Sequence, residues 1–506
     1  MTRSALRWAV PLIVAAVMAC LFVPAASARD DAVTSFDGTR IVLSFFPAEG
    51  LQPGQKAPTV LIGPGWSSGR DTNQDSASSD TTGATGVGPF RRAGYNVLTW
   101  DPRGFGESGG TVQVDSPAYE GRDVQALIDF VARQPEAQLD RGGDPRVGMS
   151  GASYGGGIQL VTAAIDSRVD VIAPDIAWHS LTTSLYKSQS PKSGWGSALF
   201  ALGVEGSTIP GVPAGETGNL DPHITSAYTS GLAYGSFSDE DVAWFAARGP
   251  GALVERIRIP TLLIQGTVDT LFTLDEATTN YRILRANKAP SKMIWFCGGH
   301  GACFTDGGPA GWVEDQTLRW FARYLKGQKS VATGPRFEWI ADDGQVRSAA
   351  DYPPPVQRVT AASGSGILAV NPDAVSSGVL IAATPSALGL HLPITPPASG
   401  SQIVGPPKLT LSYSGLGTSS SVPVYAQIVD KSRNIVVGNV ATPVRLTLDG
   451  LPHAATFTLE EIAASVGSGS SYELQIVPAS SVYAPQRVSG LVDVSNATLS
   501  LPVAGG

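Results

Sequence analysis

From Tyr95 onward, short apolar runs alternate with longer segments whose apolar positions recur every three or four residues. This predicts strands over 96–100, 146–150 and 169–173, with helices over 118–134 and 156–166. The alternation resumes with strand 261–265, helix 274–286, strand 292–296 and helix 312–325. Upstream, Asp37-Gly38 reads as a hairpin turn before a strand at 41–46, and 58–62 reads as a further strand. Strands alternating with helices build a mostly parallel sheet covered on both faces, so the expected fold class is doubly wound α/β. Residues 178–258 break the pattern with Trp, Tyr, Gly and Pro, mixed helical patches and no clear strand. An interruption of that length inside the alternation reads as an inserted helical cap.

Beyond Lys326, Val, Ser, Thr, Pro and Gly dominate, and short alternating runs appear at 408–413, 422–429, 444–448, 472–477 and 497–501. Their spacing, with turn residues between them, predicts an antiparallel β-sandwich of jelly-roll type. The expected division is a leader over 1–28, an α/β domain over 29–330 with its cap at 178–258, and a β-domain over 331–506. The polar stretch 67–85 reads as an exposed loop. Within it Asp71, Asn73 and Asp75 echo a calcium loop, but Ser76 stands where that motif needs Gly and no Glu closes it. No metal or other cofactor is expected.

The first residues have the character of a secretion signal: Arg3 and Arg7, an apolar stretch over 8–23, then Ala26-Ser27-Ala28 ahead of Arg29. Cys20 lies inside the apolar stretch and reads as part of it, not as a lipidation site. The expectation is an exported protein with no stable membrane insertion after cleavage. Cleavage would leave Cys297 and Cys303, a pair expected to be oxidised outside the cytoplasm. In the chain-entropy model such a small ring contributes about 2 kcal/mol.

Composition narrows the partners. With 42% hydrophobic and 15% charged residues, the 506-residue chain is too apolar to be disordered, and 58 Gly and 37 Pro do not suit a helical bundle. A net charge of −8 with no basic stripe argues against a nucleic-acid partner. Oligomeric state is not legible.

The chemistry gathers around Gly151-Ala152-Ser153-Tyr154-Gly155, a G-x-S-x-G between the strand at 146–150 and a helix opening on Gly156-Gly157. A serine on a strained strand-to-helix turn is exposed as a nucleophile, and glycines two residues away relieve the crowding. Its hydroxyl needs a base, and the base needs an acid that orients it and stabilises its cation. Asp269 lies just past the strand at 261–265, and His300 lies in a Gly-rich loop after the strand at 292–296. Both therefore fall at the carboxyl edge of the sheet, where ligands bind. Of five histidines, His300 alone follows a strand of this layer; Glu276 is a rival acid one turn beyond Asp269. The oxyanion donors expected are the backbone amides of Tyr154 and Trp66. Gly104-Phe105-Gly106-Glu107-Ser108-Gly109 satisfies G-x-G-x-x-G, but 110–114 continues extended instead of opening a helix, so no dinucleotide site is assigned.

Asn96 to Gly110, with Asp101-Pro102-Arg103-Gly104, resembles the strand-four segment of α/β-hydrolases. Taken with the elbow, Asp269 and His300, the set resembles the X-Pro dipeptidyl-peptidase-like hydrolases (peptidase S15, cocaine esterase-like). Ser184-Leu185-Tyr186 and Lys192-Ser193-Gly194-Trp195 are similar to the cap of secreted members, and Phe337-Glu338-Trp339 with Asp343-Gly344 to the entry into their jelly-roll domain. Esterases of this group place a tyrosine after the third strand, where this chain has Trp66 and Ser67. No acidic pair for a substrate's free amino terminus stands out. The resemblance implies a secreted serine hydrolase of small ester, amide or peptide substrates, with Ser153, His300 and Asp269 as nucleophile, base and acid. Two alternatives share the chain: an acyltransferase with envelope acceptors, and a non-catalytic envelope-binding protein that uses the β-domain.

Overall fold

In the computed structural model, residues 27–208, 218–373, 378–379 and 381–505 are described. The expected leader, 1–28, lies almost entirely outside them, as does 209–217 of the cap. In chain order the first layer comprises β1 (Arg29–Thr34), β2 (Arg40–Phe46), β3 (Thr59–Ile62), α1 (Val87–Arg92), β4 (Asn96–Trp100), α2 (Glu120–Ala132), β5 (Val147–Ala152), α3 (Tyr154–Ile165) and β6 (Val169–Asp175). The cap follows as α4 (Leu181–Leu185), α5 (Ser193–Gly206), α6 (Pro222–Tyr234) and α7 (Asp239–Ala246). The layer then resumes as β7 (Thr261–Gly266), α8 (Leu274–Ala286), β8 (Ser291–Phe296), α9 (Trp312–Tyr324), β9 (Phe337–Ile340) and β10 (Val346–Ala349).

The ten strands form one sheet in the order β1-β2-β4-β3-β5-β6-β7-β8-β9-β10. Pairing is parallel from β4 to β9 and antiparallel at both ends. Adjacent residues of its strands serve opposite faces. Leu61, Leu98, Met149, Ile172, Leu263 and Met293 pack under α2, α3 and α8. Val60, Val97, Val171, Leu262 and Ile294 pack under α1 and α9. Burial on both sides is why these strands read as unbroken apolar runs. The sheet runs past residue 330, since β9 and β10 complete it, and the second sheet begins at Gln357.

That second sheet is antiparallel throughout and curls around its own core. Its spine is Lys408–Asp430, which pairs with Thr442–Asp449, His453–Thr458, Tyr472–Val477 and Gly490–Ala504. Sequence expected two strands at 408–413 and 422–429; the chain carries one, because pairing with Gly490–Ala504 continues through Ser414–Gly417 and pairing with Thr442–Asp449 takes over from Ser421. Among the described residues, no helix is long and apolar enough to cross a membrane.

Candidate active site

Ser153 stands between β5 and α3 with φ +58° and ψ −117°, a left-handed conformation that costs about 1–3 kcal/mol. The turn is tight enough to dictate its glycines. Gly151 has φ +131°, and a Cβ on Gly155 would lie 2.1 Å from the Gly63 carbonyl. In return the hydroxyl projects at the carboxyl edge of the sheet, and Ser153 N–H is held by the Asp175 carbonyl at 2.9 Å.

The other two candidates arrive from neighbouring strand ends. His300 Nε2 lies 2.8 Å from Ser153 Oγ, and His300 Nδ1 lies 2.7 Å from Asp269 Oδ2. The Asp269 side chain is completely buried, and its Oδ1 accepts N–H bonds from Leu271 at 3.0 Å and Phe272 at 2.9 Å. A carboxylate so placed accepts a hydrogen bond from Nδ1–H and so fixes the proton there, which leaves Nε2 as an acceptor for the serine hydroxyl. Phe272 and Trp195 set their ring edges against the imidazole, at 5.1 and 5.8 Å between centroids. Glu276, the rival acid, is spent elsewhere: it accepts from the amides of His179 and Ser180 and from the Thr183 hydroxyl.

The histidine loop is tied at several points. Cys297 and Cys303 form a disulfide around it, Gly299 N–H donates to the Thr81 carbonyl at 2.9 Å, and Asn439 of the β-domain donates to the Ala302 carbonyl at 3.0 Å. The stretch 67–85 is the loop expected, exposed over 72–75 and at Thr81, and only Gly83 and Thr85 are buried; Arg70 pairs with the buried Asp101.

The two expected oxyanion residues also meet here. Tyr154 opens α3, so its N–H has no acceptor within the helix. The Trp66 ring packs edge-on against Tyr154 and donates from Nε1 to the Leu199 carbonyl at 2.8 Å. Trp66, Ser153 and Tyr154 line one cavity of about 110 Å³, roofed by the cap.

Sequence reading missed several polar groups around the site. Lys192 of the cap is buried and donates to the carbonyls of Thr270 and Leu271, both at 2.9 Å, bracing the loop that carries Asp269. Beneath Tyr154, whose hydroxyl donates to Glu120 Oε1 at 3.3 Å, burial pushes Glu120 up to about 7. Asp115 and Asp175 are also raised well above the usual carboxylate range by burial, with Glu120 adding to the first and Asp269 to the second. The glycine motif at 104–109 opens no helix; 101–110 folds as turns in which Asp101 accepts from Arg70 and from the Glu107 amide.

Residues 37–302, more than half of the 506, match the family model for X-Pro dipeptidyl-peptidase (S15 family). The chain belongs to the X-Pro dipeptidyl-peptidase (S15) family. Structures similar to this S15 chain share its whole architecture at low identity. A CocE/NonD family hydrolase from Staphylococcus aureus aligns with a TM-score of 0.65 at 15% identity, over 94% of this chain and 93% of the other. An alpha-amino acid ester hydrolase aligns at 0.68 and 13%, over 98% and 100%. An aminopeptidase from a marine sediment archaeon, Thaumarchaeota archaeon, aligns at 0.67 and 13%, over 94% and 96%. At such identities the likeness is one of fold. Among curated sequences, an uncharacterised 31.7 kDa Escherichia coli protein is 36% identical over 89 residues, 18% of this chain and 29% of its own length.

Proposed function

We propose that this S15 protein is an exported serine hydrolase that cleaves an ester or amide bond through an acyl-enzyme. The observation that carries the reading is the continuous relay from Ser153 Oγ through His300 to Asp269, at 2.8 and 2.7 Å. His300 Nε2 accepts the serine proton as Oγ attacks the carbonyl, and Asp269 stabilises the resulting imidazolium. The amides of Tyr154 and Trp66 receive the oxyanion. His300 then protonates the leaving group, and water repeats the cycle to free the acid. Family membership supports ester or peptide bonds as the class cleaved. Export is supported by the leader-like start and by the disulfide, a state that an oxidising compartment maintains.

The test is steady-state hydrolysis of p-nitrophenyl butyrate and of an X-Pro p-nitroanilide by wild type, Ser153→Ala and Asp269→Asn. Both variants are expected to fold and to lose kcat on whichever substrate the wild type turns over, about 10⁶-fold for Ser153→Ala and about 10⁴-fold for Asp269→Asn. Retained turnover in Ser153→Ala would remove the serine from the reaction.

A further inference from the structure

We propose that the cavity beside Ser153 takes the acyl part of the substrate, and that this part is an uncharged hydrocarbon group and not an aminoacyl group. The inference rests on the reading of Ser153, His300 and Asp269 given above. Which side of the scissile bond enters the cavity follows from what lines it. Ser153, Tyr154 and Trp66 are on its wall, whereas His300 is not: it stands behind Phe272, a wall residue, with Trp195 on its outer side. Because the imidazolium must reach the leaving group, that group lies on the His300 side, and the enclosed side is left to the acyl group.

The wall states the chemistry. Most of it comes from the cap, with Leu181, Leu185, Leu199, Phe200, Ile224 and Phe245 among its apolar side chains. Among the described lining residues there is no carboxylate, and the one ionisable amine is Lys192, already bonded to two carbonyls. An α-ammonium entering here would shed its water, meet no anion, and face a group of its own sign. A hydrocarbon would exchange water for packing. At about 110 Å³ the space approaches the ~150 Å³ of a dry apolar cavity that binds benzene, so a butyl-to-hexyl chain or a phenyl ring is the right scale. Leu232 of α6 lines the wall and is 39% exposed, so a longer chain has a way out through the cap. Gly196 of α5 also lines the wall, and a Cβ there would meet nothing within 4 Å.

The experiment compares kcat/KM for p-nitrophenyl acetate, butyrate, hexanoate and 2-aminohexanoate with wild type and Gly196→Leu, alongside fluorophosphonate labelling of each chain. For wild type, kcat/KM is expected to rise about fourfold per methylene, the equivalent of ~0.8 kcal/mol, from acetyl to hexanoyl. The 2-amino ester is expected at least tenfold below hexanoate, and Gly196→Leu collapses the hexanoyl-to-acetyl ratio at least tenfold. A labelled wild type with a flat or falling chain-length profile, or with the amino ester preferred, overturns the acyl-pocket assignment and leaves the hydrolase reading standing. A wild type that is neither labelled nor active on any ester overturns both.

Discussion

Tyr154 serves the site through two different atoms. Its amide opens α3 beside Ser153, and its phenol reaches down to Glu120 and to the Asp115 amide, both at 3.3 Å. Glu120 also accepts from the amides of Gln113 and Ser116, and faces Asp115, Asp123 and Arg103. Burial, the largest influence, lifts it from 4.5 to about 7. A carboxyl raised on folding is fully stabilising below its unfolded value, and that stability is lost as pH rises through the folded value. Wild type should therefore lose about 3 kcal/mol through this group between pH 4.5 and 7.5. Urea unfolding at those two pH values should show a smaller pH-dependent loss in Glu120→Gln, by about that amount. Superimposable profiles would show that Glu120 is ionised throughout. At this scale the convergence of Ser153, Asp269 and His300 was legible, because each lies at or just past the end of a strand of one layer. Lys192 was not, since its partner carbonyls at Thr270 and Leu271 lie 78 and 79 residues away. Asp115 and Glu120 were unreadable for a similar reason: what raises them is burial that only the folded chain creates.

The elements that carry the site are strand ends and the loops beyond them, and each loop is fastened by something other than its own strand. For the histidine loop the fastening is the Cys297–Cys303 disulfide together with the Thr81 and Asn439 contacts. Cys297→Ser/Cys303→Ser is expected to lose about 2 kcal/mol of stability in the chain-entropy model. Its kcat should fall severalfold with KM little changed, because the bridge orients the base without touching substrate. Unchanged kcat would assign the orientation to Asp269 and Thr81 alone. Legibility at this scale follows burial. Asn96–Trp100 and Leu274–Ala286 match their sequence-read bounds, since one is buried throughout and the other shows one apolar face. Gln357–Val370 was missed because Ala, Ser and Gly fill it and its exposed positions dominate. Its pairing with Gly490–Ala504, far along the chain, supplies the order that local pattern lacks.

Across the whole molecule, the β-domain is part of the site's support. Glu460 and Glu461 form a clip between its strands and the α/β layer. Lys187 of the cap lies 2.6 Å from Asp275 and 2.8 Å from Glu460, while Glu461 accepts from Tyr352, Thr278 and Arg282. Burial acts to raise Glu460, but the Lys187 ammonium prevails and holds it down to about 2; Asp275 is raised well above its usual range by burial and by that neighbouring charge. This joint was invisible in sequence, where Glu460-Glu461 is a polar pair between two strands. The central claim remains that three side chains from separate strand ends act as one catalytic unit. Peptide mass mapping after fluorophosphonate treatment tests it most directly. The account predicts a single adduct on Ser153, formed at least about 10³-fold more slowly in His300→Ala. An adduct on another residue, or labelling of Ser153 at an unchanged rate without His300, would contradict it.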